Sequence, residues 1–317
     1  MKKISSYILT LLLVSSLTSI RVMSQTKDDL KGNISISGAF ALYPLTVKWA
    51  EEFKKLHPNV KFDISAGGAG KGMTDALANM VDIGLVSREI SSDEAKKGAY
   101  GIAVTKDAVV ATVSAANPNI KDILANGLDR EAAINIFITG KTKTWGQALG
   151  TQSKVPIRIY TRSDACGAAE TWAKYLGKKQ EDILGVGVFG DPGLAQAVKK
   201  DPSGIAFNNI GYAYDAKTKL PNPGIKVVPL DVNNNGKIDP EENFYNTMDE
   251  IVNAIAADKY PSPPARDLYF VTKGKPVKKE LVAFIKWVLT DGQKYVFESG
   301  YINLSKEKLA KGFEKLK

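Results

Sequence analysis

The sequence contains one cysteine, one histidine and no apolar segment long enough to cross a membrane among its 317 residues. Cys166 alone cannot form an intrachain disulfide, and a lone His57 leaves few options for histidine-based catalysis or metal binding. The most apolar stretch, residues 7–17, is shorter than the roughly 18 to 20 residues of a membrane span. With 44% apolar and 24% charged residues, the composition predicts a globular protein that buries its core without disulfides.

The first 24 residues have the features of a secretory signal peptide. Lys2 and Lys3 precede the apolar stretch, and a small residue, Ser24, marks the predicted cleavage point. A membrane anchor is the alternative, which the short apolar stretch disfavours. No cysteine directly follows that stretch, so no lipoprotein anchor is expected. We therefore expect a periplasmic or secreted protein, and cleavage of residues 1–24 lowers its net charge from +9 to +6.

The remaining positive charge is spread along the chain. Lysines often follow acidic residues at helical spacing, as Lys54 and Lys55 follow Glu51 and Glu52. Such pairs are typical of a solvated helix face. The basic charge therefore does not predict a nucleic-acid partner.

Three segments repeat the order strand, loop, helix. Residues 33–37 alternate apolar and polar side chains, and an apolar stripe from Leu42 to Leu56 then follows helical spacing. The same order recurs over residues 62–80 and 157–176. This alternation predicts an α/β fold with mostly parallel sheets flanked by helices, where ligands bind at the carboxyl ends of strands.

Two segments have the features of crossings between domains. Residues 103–113 read as a nearly continuous apolar strand, and the proline-rich residues 261–266 lead into a second strand. If both are hinges, residues 25–110 and 265–317 form a first lobe. Residues 111–264 then form the second lobe.

Three loops rich in small residues, 38–42, 66–72 and 163–168, precede the predicted helices. N–H groups in the first turn of a helix have no partner within the helix and favour anions. Nucleotide-binding patterns fit less well, because Gly70-Lys71 is followed by glycine rather than serine or threonine. Residues 185–190 match GxGxxG but follow a helical pattern rather than a strand, so we interpret that match as coincidence. The loops therefore predict an oxyanion site.

The order of these motifs resembles the phosphate-binding proteins of phosphate-specific ABC transporters, the PstS-type family. The motifs are SGAFALYPL at 37–45, GGAGKG at 67–72, VDIGLVSR at 81–88 and RSDACG at 162–167. The resemblance covers about residues 33–305. It implies a two-lobed periplasmic binding protein fold of type II, with two hinge strands, that clamps one dehydrated oxyanion.

The resemblance also implies that backbone groups of the loops and the side chain of Arg162 hold the anion. Arg162 would offer a bidentate charged fork to two oxygens. Asp164 would either hold Arg162 in place or accept a proton carried by hydrogen phosphate, which sulfate does not carry. The implied anion-binding residues are Ala41, Leu42, Tyr43, Ala69, Gly70, Ser87, Arg88, Arg162, Asp164, Cys166 and Gly167.

The loops depart from the family pattern at several positions. Where the family usually has hydroxyl side chains, this chain has Ala39, Ala41, Ala69, Cys166 and Ala168. Where the family has an acid after residues 81–86, this chain reads Ser87-Arg88. Backbone donors remain in all three loops, so sulfate or a molybdate-like oxyanion stays as an alternative to phosphate.

Cys166 also admits a catalytic interpretation. A thiolate at a helix N-terminus beside Arg162 would be favoured and would suit a nucleophile. This leaves a secreted hydrolase or thiol enzyme as the alternative function. His57 ends the first predicted helix and is expected far from Cys166, so the sequence offers no histidine as a general base for this cysteine. We therefore predict that the protein is not an enzyme.

Residues 231–242 match the calcium loop of an EF-hand. Oxygen-bearing side chains occupy loop positions 1, 3, 5, 9 and 12, with glycine at 6 and an apolar residue at 8. An asparagine-rich turn is the alternative. The predicted ligands of a structural calcium ion are Asp231, Asn233, Asn235, the Lys237 carbonyl, Asp239 and Glu242.

Together these features predict an exported, monomeric binding protein. Its expected ligand is inorganic phosphate or a related oxyanion. The resemblance implies that it delivers this ligand to the permease subunits of an ABC importer.

Overall fold

The computed structural model describes residues 30–317, and the predicted signal peptide lies outside this range. The strands in this range are β1 (Gly32–Gly38), β2 (Val60–Ala66), β3 (Ile83–Val86), β4 (Ala99–Ser114), β5 (Arg158–Arg162), β6 (Val186–Val188), β7 (Gly204–Asn209), β8 (Ile225–Val227) and β9 (Ala265–Lys273). The α-helices are α1 (Tyr43–Leu56), α2 (Ala69–Leu77), α3 (Ser92–Lys96), α4 (Ile120–Asn126), α5 (Arg130–Phe137), α6 (Trp145–Leu149), α7 (Gly167–Tyr175), α8 (Gly190–Lys200), α9 (Ile210–Ala213), α10 (Met248–Ala256), α11 (Lys279–Val288), α12 (Lys294–Glu298) and α13 (Lys306–Glu314). Among these helices, none has both the length and the apolar character needed to cross a bilayer.

The strands form one mixed sheet in the order β2-β1-β3-β9-β4-β7-β5-β6, and β8 also pairs with β4. The pairings β1–β2, β1–β3, β5–β6 and β5–β7 are parallel, as the alternation of strands and helices predicts. All pairings of β4 and β9 are antiparallel. The sheet is therefore mixed, because two antiparallel strands join its two parallel parts.

Two large hydrophobic cores lie along this sheet. The first lobe is the part around the first core, whose buried residues lie within 34–104 and 268–316. The second lobe surrounds the second core, whose residues lie within 108–265 and include Ile302 as well. Strands β4 and β9 pass from one core to the other, which gives the two-lobed arrangement with two crossing strands.

Helix α1 shows how the apolar pattern of the sequence becomes packing. Pro44 lies in its first turn, where its missing N–H removes no intrahelical hydrogen bond. Leu45, Trp49 and Phe53 form its buried face, and Trp49 meets Phe270 of β9 edge to face at 5.8 Å. Burial of each such side chain contributes about 1.5–3 kcal/mol, which fixes α1 and the loop before it against the sheet.

Candidate anion-binding site

The three small-residue loops each lead into a helix, two in the first lobe and one in the second. Helix α1 begins directly after the first loop, whereas α2 and α7 begin within the second and third loops, at Ala69 and Gly167. The Gly38 carbonyl oxygen accepts hydrogen bonds from the N–H groups of Gly67 at 2.8 Å and Gly68 at 3.0 Å, which ties the first two loops together. The first turns of the three helices therefore bring anion-favouring N–H groups to one edge of the sheet.

The second and third loops meet across the cleft between the lobes. The Gly70 N–H donates to the Ala165 carbonyl oxygen over 3.2 Å. A methyl group added at Gly167 would lie 2.3 Å from the Ser87 carbonyl oxygen, and one added at Gly70 would lie 2.9 Å from the Ala165 Cβ. Only glycine permits these approaches, so the N-terminal turns of α2 and α7 face each other in a closed cleft.

Phe40 makes the contact between the first loop and the second lobe. Its carbonyl oxygen accepts a hydrogen bond from the Tyr212 hydroxyl at 3.2 Å. Its ring meets Phe189 edge to face at 6.0 Å, and the Arg162 guanidinium lies 5.4 Å from the ring centroid. Phe40 therefore covers one face of Arg162 and limits the access of water to it.

Two of the three predicted backbone donors of the first loop are used within the loop itself. The N–H groups of Leu42 and Tyr43 donate to the Ala39 carbonyl oxygen at 3.1 and 3.2 Å. The Ala41 carbonyl oxygen accepts a bond of 2.6 Å from the Tyr301 hydroxyl. An anion that binds these N–H groups would have to share or replace the hydrogen bonds of this turn.

Arg162 ends β5, and its side chain is fully buried. Its Nε and Nη2 donate to the two carboxylate oxygens of Asp164 at 2.8 and 2.6 Å, and its Nη1 donates to Asp191. These bonds use three of the five N–H groups of the guanidinium. The two others, one on each terminal nitrogen, are those that could bind an anion.

A chain of buried polar side chains extends from Arg162 to the long strands. Asp191, in the first turn of α8, accepts a bond of 2.6 Å from Asn209 Nδ2, and Asn209 Oδ1 accepts one from Arg266. Arg266 on β9 lies opposite Asp107 on β4, with 3.8 Å between Nη2 and Oδ2. Burial raises the pKa of Asp191 above its ordinary value, raises that of Asp107 to about 7 and lowers that of Arg266.

Arg88 connects the two lobes through carboxylates. Its Nη2 and Nη1 donate to Glu94 at 2.6 and 2.9 Å, and its Nε lies 3.0 Å from Glu170 Oε2 on α7. The neighbouring Glu89 pairs with Lys174 of the same helix at 2.6 Å. The structure thus places Arg88 in ion pairs, and its role as an anion ligand stays a prediction.

A cavity of about 420 Å³ opens beside these loops. Its lining residues are Gly70, Arg88, Ala165, Cys166, Glu170, Lys174, Lys178, Lys179, Gln180 and Glu181. Four of these side chains are basic and two are acidic. The charge of the lining therefore favours the approach of anions.

Cys166 is buried at the start of α7. Its Sγ accepts a hydrogen bond of 3.3 Å from the Ala169 N–H, as the N-cap of the helix. Burial raises the pKa of the thiol to about 12, although Arg162 opposes this shift. The expectation that the thiolate is favoured here is therefore wrong, because the cost of burying the charge exceeds the help of the helix start and Arg162.

The residues of the predicted calcium loop lie close together and form hydrogen bonds and an ion pair with one another. The Asp239 carboxylate accepts bonds from Asn233 Nδ2 at 3.0 Å and Asn235 Nδ2 at 2.6 Å, and it pairs with Lys237 Nζ at 2.8 Å. Glu242 Oε1 accepts a bond from the Asn233 N–H at 3.1 Å. Across residues 30–317, no group of three or more acidic, histidine or cysteine side chains is arranged to hold a metal ion.

Sequence reasoning missed Phe40, Asp191, Asn209 and Arg266. Asp191 directly follows the GxGxxG match at 185–190, which contains β6 and ends at the start of α8. The segment is thus a fourth turn from strand to helix, and the interpretation of the match as a coincidental nucleotide pattern stays a prediction. Phe40 lies inside the first small-residue loop, which was a signal for it. No local signal marks Asn209 and Arg266, because strand pairing brings them to the site.

The fold and the cleft define a class of binding protein, in which two lobes joined by two crossing strands face each other through helix N-termini. The chain belongs to the PBP superfamily, since the model of the PBP superfamily domain matches residues 24–292.

Relatives of the chain carry names that describe phosphate binding. It is 28% identical to the phosphate-binding protein PstS of Pseudomonas aeruginosa, over 92% of this chain and 89% of that protein. It is 27% identical to the protein of the same name from Methanocaldococcus jannaschii, over 96% and 93% of the two chains. A structure from Clostridium perfringens, described as a phosphate ABC transporter substrate-binding protein with bound phosphate, matches 86% of this chain and all of its own with a TM-score of 0.71 and 21% identity. These comparisons confirm the predicted resemblance to PstS-type proteins and the predicted fold.

Proposed function

We propose that the chain is an exported solute-binding protein that captures inorganic phosphate between its lobes and delivers it to an ABC importer. The observation that carries this proposal is the meeting of α2 and α7, one from each lobe, at the Gly70–Ala165 hydrogen bond. Two helix N-termini with a buried guanidinium close by suit an oxyanion. The names of the relatives support phosphate as that oxyanion.

Recognition then depends on directed hydrogen bonds more than on excess charge. The Arg162 charge is balanced by the carboxylates of Asp164 and Asp191. The two remaining N–H groups of Arg162 and the backbone N–H groups of the helix starts donate to phosphate oxygens. Asp164 accepts a hydrogen bond from the protonated oxygen of hydrogen phosphate, and a sulfate ion has no such donor. Opening of the lobes releases the anion to the permease.

Two alternatives compete with this proposal. Sulfate or a molybdate-like oxyanion could use the same backbone donors. A secreted hydrolase or thiol enzyme would need an activated nucleophile and a base nearby, whereas burial raises the pKa of the Cys166 thiol to about 12. The raised pKa of the thiol therefore favours a binding protein over a thiol enzyme.

The proposal includes the organisation expected from the sequence. We divide the chain into one lobe of residues 25–110 with 265–317 and a second lobe of residues 111–264. The two cores support this division but place the crossing of β4 within residues 104–108, a few residues before the proposed boundary. The protein acts as a monomer in the periplasm or outside the cell, after removal of residues 1–24 and without a lipid anchor. Its partners are phosphate and permease subunits, and nucleic acid is not among them.

We also propose that residues 231–242 bind calcium in a structural role. The side chains of loop positions 3, 5 and 9 lie within hydrogen-bonding distance of each other at Asp239. Glu242, at position 12, folds back to the start of the loop through the Asn233 N–H. Calcium would replace the amide and ammonium groups around Asp239, and bidentate Glu242 would complete its coordination.

Titration calorimetry of Arg162→Ala tests the phosphate proposal. The substitution removes two charged hydrogen bonds of about 1.5–3 kcal/mol each and leaves two carboxylates facing the anion, so affinity should fall at least about 100-fold. Arg158→Ala is the matched control, because Arg158 begins the same strand but has a side chain 65% exposed. Phosphate binding that survives Arg162→Ala unchanged would contradict the site. Tighter binding of sulfate, arsenate or molybdate than of phosphate by the unmodified protein would contradict the ligand.

A further inference from the structure

We infer that Asp191, Asn209 and Arg266 are positioning residues for Arg162, and that they link the anion site to the crossing strand β9. This inference rests on the proposed function, because it concerns how tightly the same site holds phosphate. None of the three needs to touch the anion. They act by fixing the direction in which Arg162 presents its two remaining N–H groups.

The amide of Asn209 is the central link of this chain. Its Nδ2 donates to Asp191 at 2.6 Å, and its Oδ1 accepts from Arg266. Both ends of the amide are thereby committed to opposite charges, so a reversed amide would place a donor against a donor and an acceptor against an acceptor. Asn209 is 2% exposed, which keeps water from replacing either bond.

Asp191 passes this fixed orientation on to Arg162. One carboxylate oxygen accepts from Asn209 and the other from Arg162 Nη1, while Asp164 binds the opposite side of the guanidinium through Nε and Nη2. The plane of the guanidinium is therefore held from two sides. Loss of Asp191 or of its orientation would let the terminal nitrogens rotate about the Asp164 contact.

The far end of the chain lies at the crossing between the lobes. Arg266 faces Asp107 in the register of β9 against β4, at the position where both strands pass between the two cores. Arg162 is thus connected to a strand that must bend or twist when the lobes move. The orientation of the anion-binding guanidinium depends in this way on residues of the crossing strands.

Asn208 provides a matched control for Asn209. The two residues are adjacent on β7 and both are buried, but successive side chains of a strand point to opposite faces. Asn208 Oδ1 accepts a bond of 2.7 Å from Thr112 and belongs to a different set of contacts. If the substitutions acted by destabilising β7, both should weaken phosphate binding. If Asn209 acts by positioning Arg162, only the substitution of Asn209 should weaken it.

Phosphate titrations of the full chain, with melting temperatures of each variant, test the inference. We expect Asn209→Ala to weaken phosphate binding at least about tenfold, the effect of one hydrogen bond to a charged group, and Asn208→Ala to leave it unchanged. Asn209→Leu keeps a similar volume but can neither donate to Asp191 nor accept from Arg266, so it should weaken binding similarly if Asn209→Ala fails to fold.

A double-mutant cycle separates positioning from a general structural role. In an Arg162→Ala background, adding Asn209→Ala should change phosphate affinity by less than twofold, because the residue acts only through Arg162. Wild-type affinity in the Asn209 variants, equal losses in the Asn208 and Asn209 variants, or full additivity with Arg162→Ala would each overturn the inference. A wild-type protein that binds no phosphate would overturn the proposed function and this inference with it.

Discussion

Gly167→Ala should obstruct closure of the cleft without damage to either lobe. The new methyl group would lie 2.3 Å from both the carbonyl oxygen and the hydroxyl of Ser87. Ser87 belongs to the first lobe and Gly167 starts α7 in the second, so this clash exists only when the lobes meet. In the open protein, alanine at a helix start is tolerated as well as glycine or better.

The size of the effect follows from the cost of overpacking. A contact of 2.3 Å must lengthen by about 1 Å to become ordinary, and an added methylene in a tightly packed place costs about 1–3 kcal/mol. Because this cost applies only to the closed state, it raises the apparent Kd for phosphate by about 5- to 150-fold. The melting temperature without phosphate should stay within a few degrees of the unmodified protein.

Calorimetry and small-angle scattering together measure this prediction. Phosphate should contract the unmodified protein, whereas Gly167→Ala should contract less at equal saturation. Gly211→Ala is the control, because a methyl group there would find no atom closer than 4.0 Å. Wild-type affinity and full contraction in Gly167→Ala would refute closure through this contact.

Two further predictions concern stability. Millimolar calcium should raise the melting temperature of the metal-free protein, because it binds the folded state. Glu242→Gln should abolish this rise and leave phosphate affinity nearly unchanged. If calcium does not change the melting temperature of the unmodified protein, the loop does not bind calcium and is only a turn. Burial raises the pKa of Asp107 from 3.8 to about 7, so the folded protein favours the neutral carboxyl. The contribution of this group to folding stability is therefore fully present below about pH 3.8 and is lost as the pH rises through about 7. Asp107→Asn, whose side chain is always neutral, should melt at a higher temperature than the unmodified protein at pH 8. Its melting temperature should also fall less between pH 5 and 8. An equal fall in both proteins would contradict the raised pKa of Asp107.

Local features of the chain could be predicted from the sequence because they depend on near neighbours. The apolar spacing of Leu45, Trp49 and Phe53 becomes the buried face of α1. The small-residue loops do lead into α1, α2 and α7, since glycine and alanine allow the turns at which these helices start. The order of the motifs along the chain also sufficed to identify the PstS-type resemblance.

Tertiary structure decided the partners and the charge states. Arg162 is held by Asp191, and Arg88 by Glu170, through pairs that no sequence spacing indicates. The pKa of the Cys166 thiol is raised to about 12 although a helix start and Arg162 adjoin it, because desolvation by the surrounding atoms outweighs both. Hydrogen-bond partners and desolvation depend on which distant segments pack together, and that information exists only once the lobes have folded and met.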